Sequence, residues 1–263
     1  MSRALIIKRG SDCLDEMEYS VWEPQYEQIA REFGFSMDRE EHAAHRLEAL
    51  LPEEARTDGL ARVTARIRGR DVIVVGLAPR AGPPPIWRLG RADPPPVVIA
   101  ADGATSVCLD AGLVPAVVTT DLDGPLPAEV NAHRRGSLVV IHAHGDNEPA
   151  VEAWVPQFPG ELAGSWAGPP RPTLLDVGGF TDGDRAVCLA EHARARRILL
   201  WGFDFGRAEE PTPAEAARKR AKLRWAERIV GELARSGAVP IEMWRRDGTL
   251  VSSGGGISDA STR

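Results

Sequence analysis

The segments VVIAADGA (97–104) and AVVTTDLDG (116–124) decide the fold. Each opens on a short apolar, largely β-branched run without polar alternation, as in a strand buried on both faces of a parallel sheet. Each then breaks abruptly into aspartate and glycine. Outward from this pair, the same texture recurs in DVIVVG (71–76), SLVVIHA (137–143), TLLDV (173–177) and RILLWGF (197–203), with segments of helical length between them. That alternation predicts an α/β fold, a mostly parallel sheet flanked by helices. Residues 71–250 are expected to form the α/β catalytic domain. Residues 1–70 are expected to be a helical N-terminal segment packing on it, and 251–263 a flexible tail rich in Ser and Gly.

Within the N-terminal segment, Trp22, Tyr26, Ile29 and Phe33 recur at three- and four-residue spacing and share one helical face. Gly34 is placed to stop that helix. A second, polar helix is predicted from Asp38 to Leu51, with Pro52 ending it. PPP at 83–85 and again at 94–96 brackets an irregular loop. Near the C-terminus, Thr212 is a good N-cap, Pro213 fits the first turn, and Glu215 completes a capping box. The helix then runs to about Arg235, where Gly237 stops it. Its apolar stripe, Leu223, Ala226, Val230 and Leu233, continues backward into Lys219 and Lys222.

The composition narrows the function. Hydrophobic residues at 43% and charged residues at 27% describe an ordinary globular chain and exclude wholesale disorder. Thirty-two Lys+Arg against 38 Asp+Glu leave a formal net charge of -6. That sign opposes binding to a nucleic-acid backbone by bulk charge. No apolar run approaches the roughly 20 residues that span a bilayer, so no membrane partner is expected. Cys13, Cys108 and Cys188 are far apart and odd in number. They suit neither a disulfide framework nor a cysteine-bound zinc, and a cytoplasmic protein is expected.

The acidic motifs follow the predicted strands. Asp102-Gly103 follows VVIAA, Asp121-Leu122-Asp123-Gly124 follows AVVTT, and His144-Gly145-Asp146-Asn147 follows SLVVIHA. Gly178-Gly179-Phe180-Thr181-Asp182-Gly183-Asp184-Arg185 follows TLLDV, and Gly202-Phe203-Asp204 follows RILLW. In an open parallel sheet, loops at the carboxyl ends of the strands converge on one crevice, where ligands bind. So many carboxylates facing one crevice repel each other unless a cation sits among them. All-oxygen ligands suit Mg²⁺, which keeps positions for water and substrate phosphates. The residues thus point to a magnesium–phosphate site. For each piece a structural alternative stands beside the functional one. Asp-Gly also makes turns, and Asp182 and Asp184 also cap helices, with Arg185 pairing one of them. His142 and His144 share a side but lack a third zinc ligand.

The ordered set WEPQY, FGF, IAADGA, TDLDG, HAHGDN, GGFTDGDRA, WGFDFG and KRAKLRWA, from about Trp22 to Glu242, resembles the archaeal 6-hydroxymethyl-7,8-dihydropterin pyrophosphokinases. These are related in fold to the catalytic domain of thiamin pyrophosphokinases. The resemblance implies Mg²⁺-dependent transfer of diphosphate from ATP to the pterin hydroxymethyl group, with release of AMP, for folate or methanopterin-type cofactors. It matches Asp121, Asp123 and Asp146 to the metal, and Asp102, His144 and Asp123 to catalysis. ATP contacts are expected from Asp102, Gly103, Asn147, Lys219 and Lys222. The pterin slot is expected from Phe180, Thr181, Asp182, Asp184, Arg185, Phe203 and Asp204. Where the family pattern leads one to expect a GxGPS turn, this chain has Gly76-Leu77-Ala78-Pro79-Arg80. The expected partners are small molecules, and a homo-oligomer is left open. Two rival readings are a nucleotide-sugar transferase related to motility-associated proteins and a non-catalytic nucleotide-sensing module.

Overall fold

The computed structural model describes residues 19–78, 84, 93–245 and 249–252. Its elements run α1 (Tyr19–Phe33), α2 (Met37–Leu50), α3 (Glu53–Ile67), β1 (Asp71–Val75), β2 (Val97–Ala101), α4 (Ala104–Asp110), β3 (Val117–Thr120) and α5 (Leu126–Arg134). They continue β4 (Leu138–His142), α6 (Glu148–Trp154), β5 (Leu162–Ser165), α7 (Asp182–His192), β6 (Arg197–Trp201), α8 (Pro213–Ser236), β7 (Ile241–Trp244) and β8 (Leu250–Ser252). The strands form one sheet in the order β5-β4-β3-β2-β1-β6-β7-β8. Every pairing is parallel except β7 with β8. The expected fold class, a mostly parallel sheet with flanking helices and a helical N-terminal segment, is the one observed.

Both faces of the sheet are covered, which explains the unbroken apolar runs. Val72, Val74, Val97, Ile99, Leu138 and Val140 pack with Trp22, Ile29, Ile67, Leu189 and Val230 from α1, α3, α7 and α8. On the opposite face, Ile73, Val75, Val98 and Ala100 meet Cys108 of α4. Toward the β5 edge, Val139, Ile141 and Leu162 meet Leu47, Val130 and Val151 from α2, α5 and α6. Fully burying one such side chain is worth roughly 1.5–3 kcal/mol. The N-terminal helices thus share their cores with the sheet. Gly34 takes φ +73 at the end of α1, as its stop role requires. Thr212 and Glu215 form the capping box of α8 as expected.

Several expectations are corrected. TLLDV (173–177) is not a strand: among its residues only Leu174 and Leu175 make isolated bridges, to Arg171 and Ser165. The segment instead carries the chain from the sheet edge back toward α7. The edge strand is Leu162–Ser165, whose LAGS sequence has no β-branched residue. A third helix, α3, follows Pro52. Its mid-helix Gly59 weakens the helical signal, but a β-carbon there would lie only 3.1 Å from the Ala163 β-carbon of β5. Val251 and Ser252 belong to β8, pairing with Met243 and Glu242, so the tail does not begin at 251. Residues 1–18, 79–82 of the divergent loop, Pro83 and Pro85, and 253–263 lie outside the described residues.

Strand order runs outward from β1 in both directions, through β2 to β5 on one side and through β6 to β8 on the other. The crevice above the carboxyl ends of β1 and β6 is therefore the topological switch point, where open α/β sheets bind ligands.

Candidate active site

A cleft of about 380 Å³ opens at that switch point. Its walls include Leu77 and Ala78 after β1, Asp102 and Gly103 after β2, Phe203 and Asp204 after β6, and Lys219 and Leu223 of α8. Thr181 and Asp182, at the start of α7, also face it. Beside the cleft, Asp102, Asp121 and Asp123 each bring a carboxylate oxygen to within 4.8 Å of the other two. Asp102 and Leu122 hold left-handed backbone, φ 44 and φ 68. Such conformations are costly for non-glycine residues and are kept where the surrounding contacts fix them. Here the Leu122 amide donates to Thr120 Oγ1 at 2.9 Å, and the Asp123 amide to Asp121 Oδ1 at 3.2 Å.

The charges in this group settle unequally. Burial would raise the Asp121 carboxyl, but hydrogen bonds from His144 and Asp123 and the Arg185 charge carry it well below the usual range. Asp123 moves the other way, raised by partial burial and by the Asp121 carboxylate. Asp182 is pushed well up by burial and then by Asp121, with Asp102 and Asp123 adding to the effect. Among the described residues its Oδ1 has no hydrogen-bond partner. Behind Asp102 sits Glu129 of α5, fully buried, pushed up to about 9 by burial and then by the Asp102 charge. Among the described residues neither Glu129 oxygen has a hydrogen-bond partner of ordinary geometry. Carboxylates crowded like this repel one another, and a divalent cation among them removes the repulsion.

The HGDN loop braces the group from the side. The Asn147 amide donates to the main-chain carbonyls of Asp121 and His142, both at 2.7 Å, and its Oδ1 accepts from the His144 amide at 2.9 Å. The Asp146 amide donates to His144 Nδ1 at 3.3 Å. With Nδ1 accepting, the ring proton sits on Nε2, which faces Asp121 Oδ2 at 3.5 Å. His142 is a buried core residue against Ser165 Oγ, held neutral by burial and by the Arg185 charge.

The structure brings together some predicted site residues and not others. Asp102, Gly103, Thr181, Asp182, Phe203, Asp204 and Lys219 all line the cleft. Asp121, Asp123 and His144 adjoin it, and the Lys222 charge acts on Asp123. Asp146, expected with the metal, points outward and pairs with Arg39 at 3.0 Å; Asp102 stands in its place. Asn147, expected at ATP, spends its side chain on the loop's own backbone. Asp184 is fully buried and caps α7, accepting from the Phe180 and Thr181 amides at 2.6 and 2.8 Å. Arg185 is buried and turns toward the Gly179 and Phe180 carbonyls and Asp182. Phe180 packs with Phe33 and Phe35 at ring distances of 4.9 and 6.1 Å and does not line the cleft. Sequence reasoning missed Glu129 and Glu40. Each had a signal, an acid on the buried stripe of its helix: Glu129 beside Leu126 and Val130, Glu40 ahead of Ala43, Ala44 and Leu47.

Residues 46–210 match a family described as 6-hydroxymethylpterin diphosphokinase MptE-like. Among characterised proteins, the chain is 38% identical over 239 residues to the 6-hydroxymethyl-7,8-dihydropterin pyrophosphokinase of Methanothermobacter thermautotrophicus, covering 87% of this chain and 100% of that protein. It is 37% identical to the protein of the same name from Pyrococcus furiosus, covering 86% and 98%. Among solved structures, thiamine pyrophosphokinase from Bacillus subtilis aligns with a TM-score of 0.36 and 19% identity, over 66% of this chain and 60% of that one.

Proposed function

This chain belongs to the 6-hydroxymethylpterin diphosphokinase MptE-like family, and we propose that it transfers diphosphate from ATP to the hydroxymethyl group of 6-hydroxymethyl-7,8-dihydropterin. The hydroxyl oxygen attacks the β-phosphorus, the bond from that phosphorus to the α,β-bridging oxygen breaks, and AMP leaves. The pterin diphosphate would serve a folate or methanopterin-type cofactor. The observation that carries this reading is the convergence of Asp102, Asp121 and Asp123 at the rim of a switch-point cleft.

The donor set fits Mg²⁺: oxygens only, three carboxylates within reach of each other, and Glu129 protonated behind them. Asp102, Asp121 and Asp123 would hold the ion, which when bound neutralises phosphate charge and orients the polyphosphate. The protein's own part is positioning and electrostatics, as in phosphoryl transfer generally. Lys222, at the edge of the group, and Lys219, on the cleft wall, face the triphosphate. His144, carrying its proton on Nε2, points it at Asp121 and holds that carboxylate in place for the ion. The hydroxyl proton passes to Asp102, the one carboxylate of the three that lines the cleft. The flat pterin lies against Phe203, and Asp204 accepts from the donor edge of its amino-pyrimidinone ring.

The test is acceptor dependence. With ATP, Mg²⁺ and the hydroxymethyl dihydropterin, the protein releases AMP; with the 6-methyl analogue, which lacks the attacking hydroxyl, it does not. AMP release indifferent to the hydroxyl would refute the reading. ATP binding without any turnover would favour the sensing module.

A further inference from the structure

The HGDN loop is gripped by the N-terminal helices. Glu40 of α2 is 4% exposed, and its two oxygens take one donor each. Oε1 accepts from the Gly145 amide at 2.9 Å, and Oε2 from the Tyr26 hydroxyl of α1 at 3.0 Å. Burial and the Glu40 charge push the Tyr26 hydroxyl up, which keeps it a donor. Next to Glu40, Arg39 pairs with Asp146 Oδ1 at 3.0 Å. The helix passes so close that a β-carbon on Gly145 would lie 2.8 Å from the Arg39 β-carbon.

A buried carboxylate is an expensive way to pin a helix. Among the described residues Glu40 has no ion-pair partner, and α2 already packs Ala43, Ala44 and Leu47 into the core. What the carboxylate adds is two acceptor atoms with no donor of its own. One oxygen is fixed by Tyr26, and the other fixes the backbone of Gly145. The next amide along, that of Asp146, donates to His144 Nδ1 and so determines which ring nitrogen faces Asp121.

We propose that Glu40 is a positioning residue: through the Gly145 amide it holds the loop that aims His144 at Asp121. This rests on the functional reading above. The side chain touches neither substrate nor the carboxylate group and acts only through the loop. The helical segment before the sheet thereby becomes part of the reaction machinery.

Glu40→Gln is the direct test. Glutamine offers one acceptor oxygen where two donors wait, and its amide group must then face a donor. The expected result is a kcat lowered about tenfold or more, with KM for ATP and for the pterin within about twofold, since misplacement of a reacting group acts on the transition state; the buried donor left facing the new amide lowers the melting temperature by a few degrees. Tyr26→Phe keeps the ring packing and removes only the hydroxyl. It lowers kcat about threefold and serves the same purpose should Glu40→Gln fail to fold. A wild-type kcat in these variants, or a raised pterin KM with kcat intact, overturns the proposal. A wild-type protein that releases no AMP instead refutes the functional reading itself.

Discussion

Gly124 lies directly against Asp102: a β-carbon at position 124 would sit 2.1 Å from Asp102 Oδ1 and 2.5 Å from its Cγ. The turn after β3 and the turn after β2 are therefore fitted to each other at the point where their carboxylates converge. Gly124→Ala forces the Asp102 side chain aside. Because a displacement of about 1 Å costs on the order of 10²-fold in rate, AMP release should fall by that order, while thermal melting moves little. Near-normal turnover would show that the position of Asp102 does not matter.

Asp121→Asn and Asp123→Asn should each abolish turnover and leave the fold intact. In the metal-free protein, Asp123→Asn relieves carboxylate repulsion and should hold or raise the melting temperature, whereas Asp121→Asn gives up the interactions that favour its charged form and should lower it. Mg²⁺ should raise the melting temperature of the wild type and fail to do so in either variant, and a chelator should not unfold the wild type. AMP release at limiting Mg²⁺ that matches the wild type, or unfolding by chelator, would contradict the metal assignment.

Glu129 gives a pH signature. An unfolded glutamate loses its proton near pH ~4.3, whereas burial and the Asp102 charge push Glu129 up to about 9. Between those values the folded state holds the extra proton, so stability falls as pH rises, by up to ~1.4 kcal/mol per unit. Glu129→Gln removes this loss. In metal-free protein, the variant's unfolding free energy should decline less than the wild type's between about pH 5 and 8, by the slope of one proton. Parallel curves would mean that Glu129 is ionised in the folded protein.

Lys219 and Lys222 lie three residues apart at the head of the buried stripe of α8. Lys219 is on the cleft wall, and Lys222 Nζ is 5.9 Å from the Phe180 ring centre. Two ammonium groups so placed repel each other unless an anion lies between them. Lys219→Ala and Lys222→Ala should each weaken ATP use about tenfold or more, as for lost charge-assisted contacts of ~1.5–3 kcal/mol. Stability should change by no more than about 0.5 kcal/mol, and pterin affinity without nucleotide should barely move. Wild-type kinetics across an ATP titration would leave the pair as surface charge.

What the chain revealed in advance follows from where the information lies. The positions of Asp102 and Asp121 were legible because each directly follows a doubly buried strand, with Asp123 two residues on, and parallel topology carries such residues to one edge. The capping box Thr212–Glu215 was legible because it is local in sequence. The edge strand Leu162–Ser165 was not: it is held by pairing to β4 and by Leu47, Leu51 and Leu174 packed onto Gly164, none of which its own residues announce. Asp146 and Asn147 share a motif with His144, yet one turns outward to Arg39 and the other inward to backbone carbonyls. Arg39 of α2, more than a hundred residues upstream, draws Asp146 outward, and the Asp121 and His142 carbonyls hold Asn147 inward. Glu40 and Glu129 are long-range contacts of the same kind, hinted at only by an acid on a buried stripe.

Attack on the β-phosphorus of ATP dictates the nucleotide that is released, AMP. Incubation with ATP, Mg²⁺ and 6-hydroxymethyl-7,8-dihydropterin, followed by ³¹P NMR of the mixture, should show AMP and a pterin diphosphate rising together in equal amounts. ADP with a pterin monophosphate would instead place the attack on the γ-phosphorus and rule out diphosphate transfer.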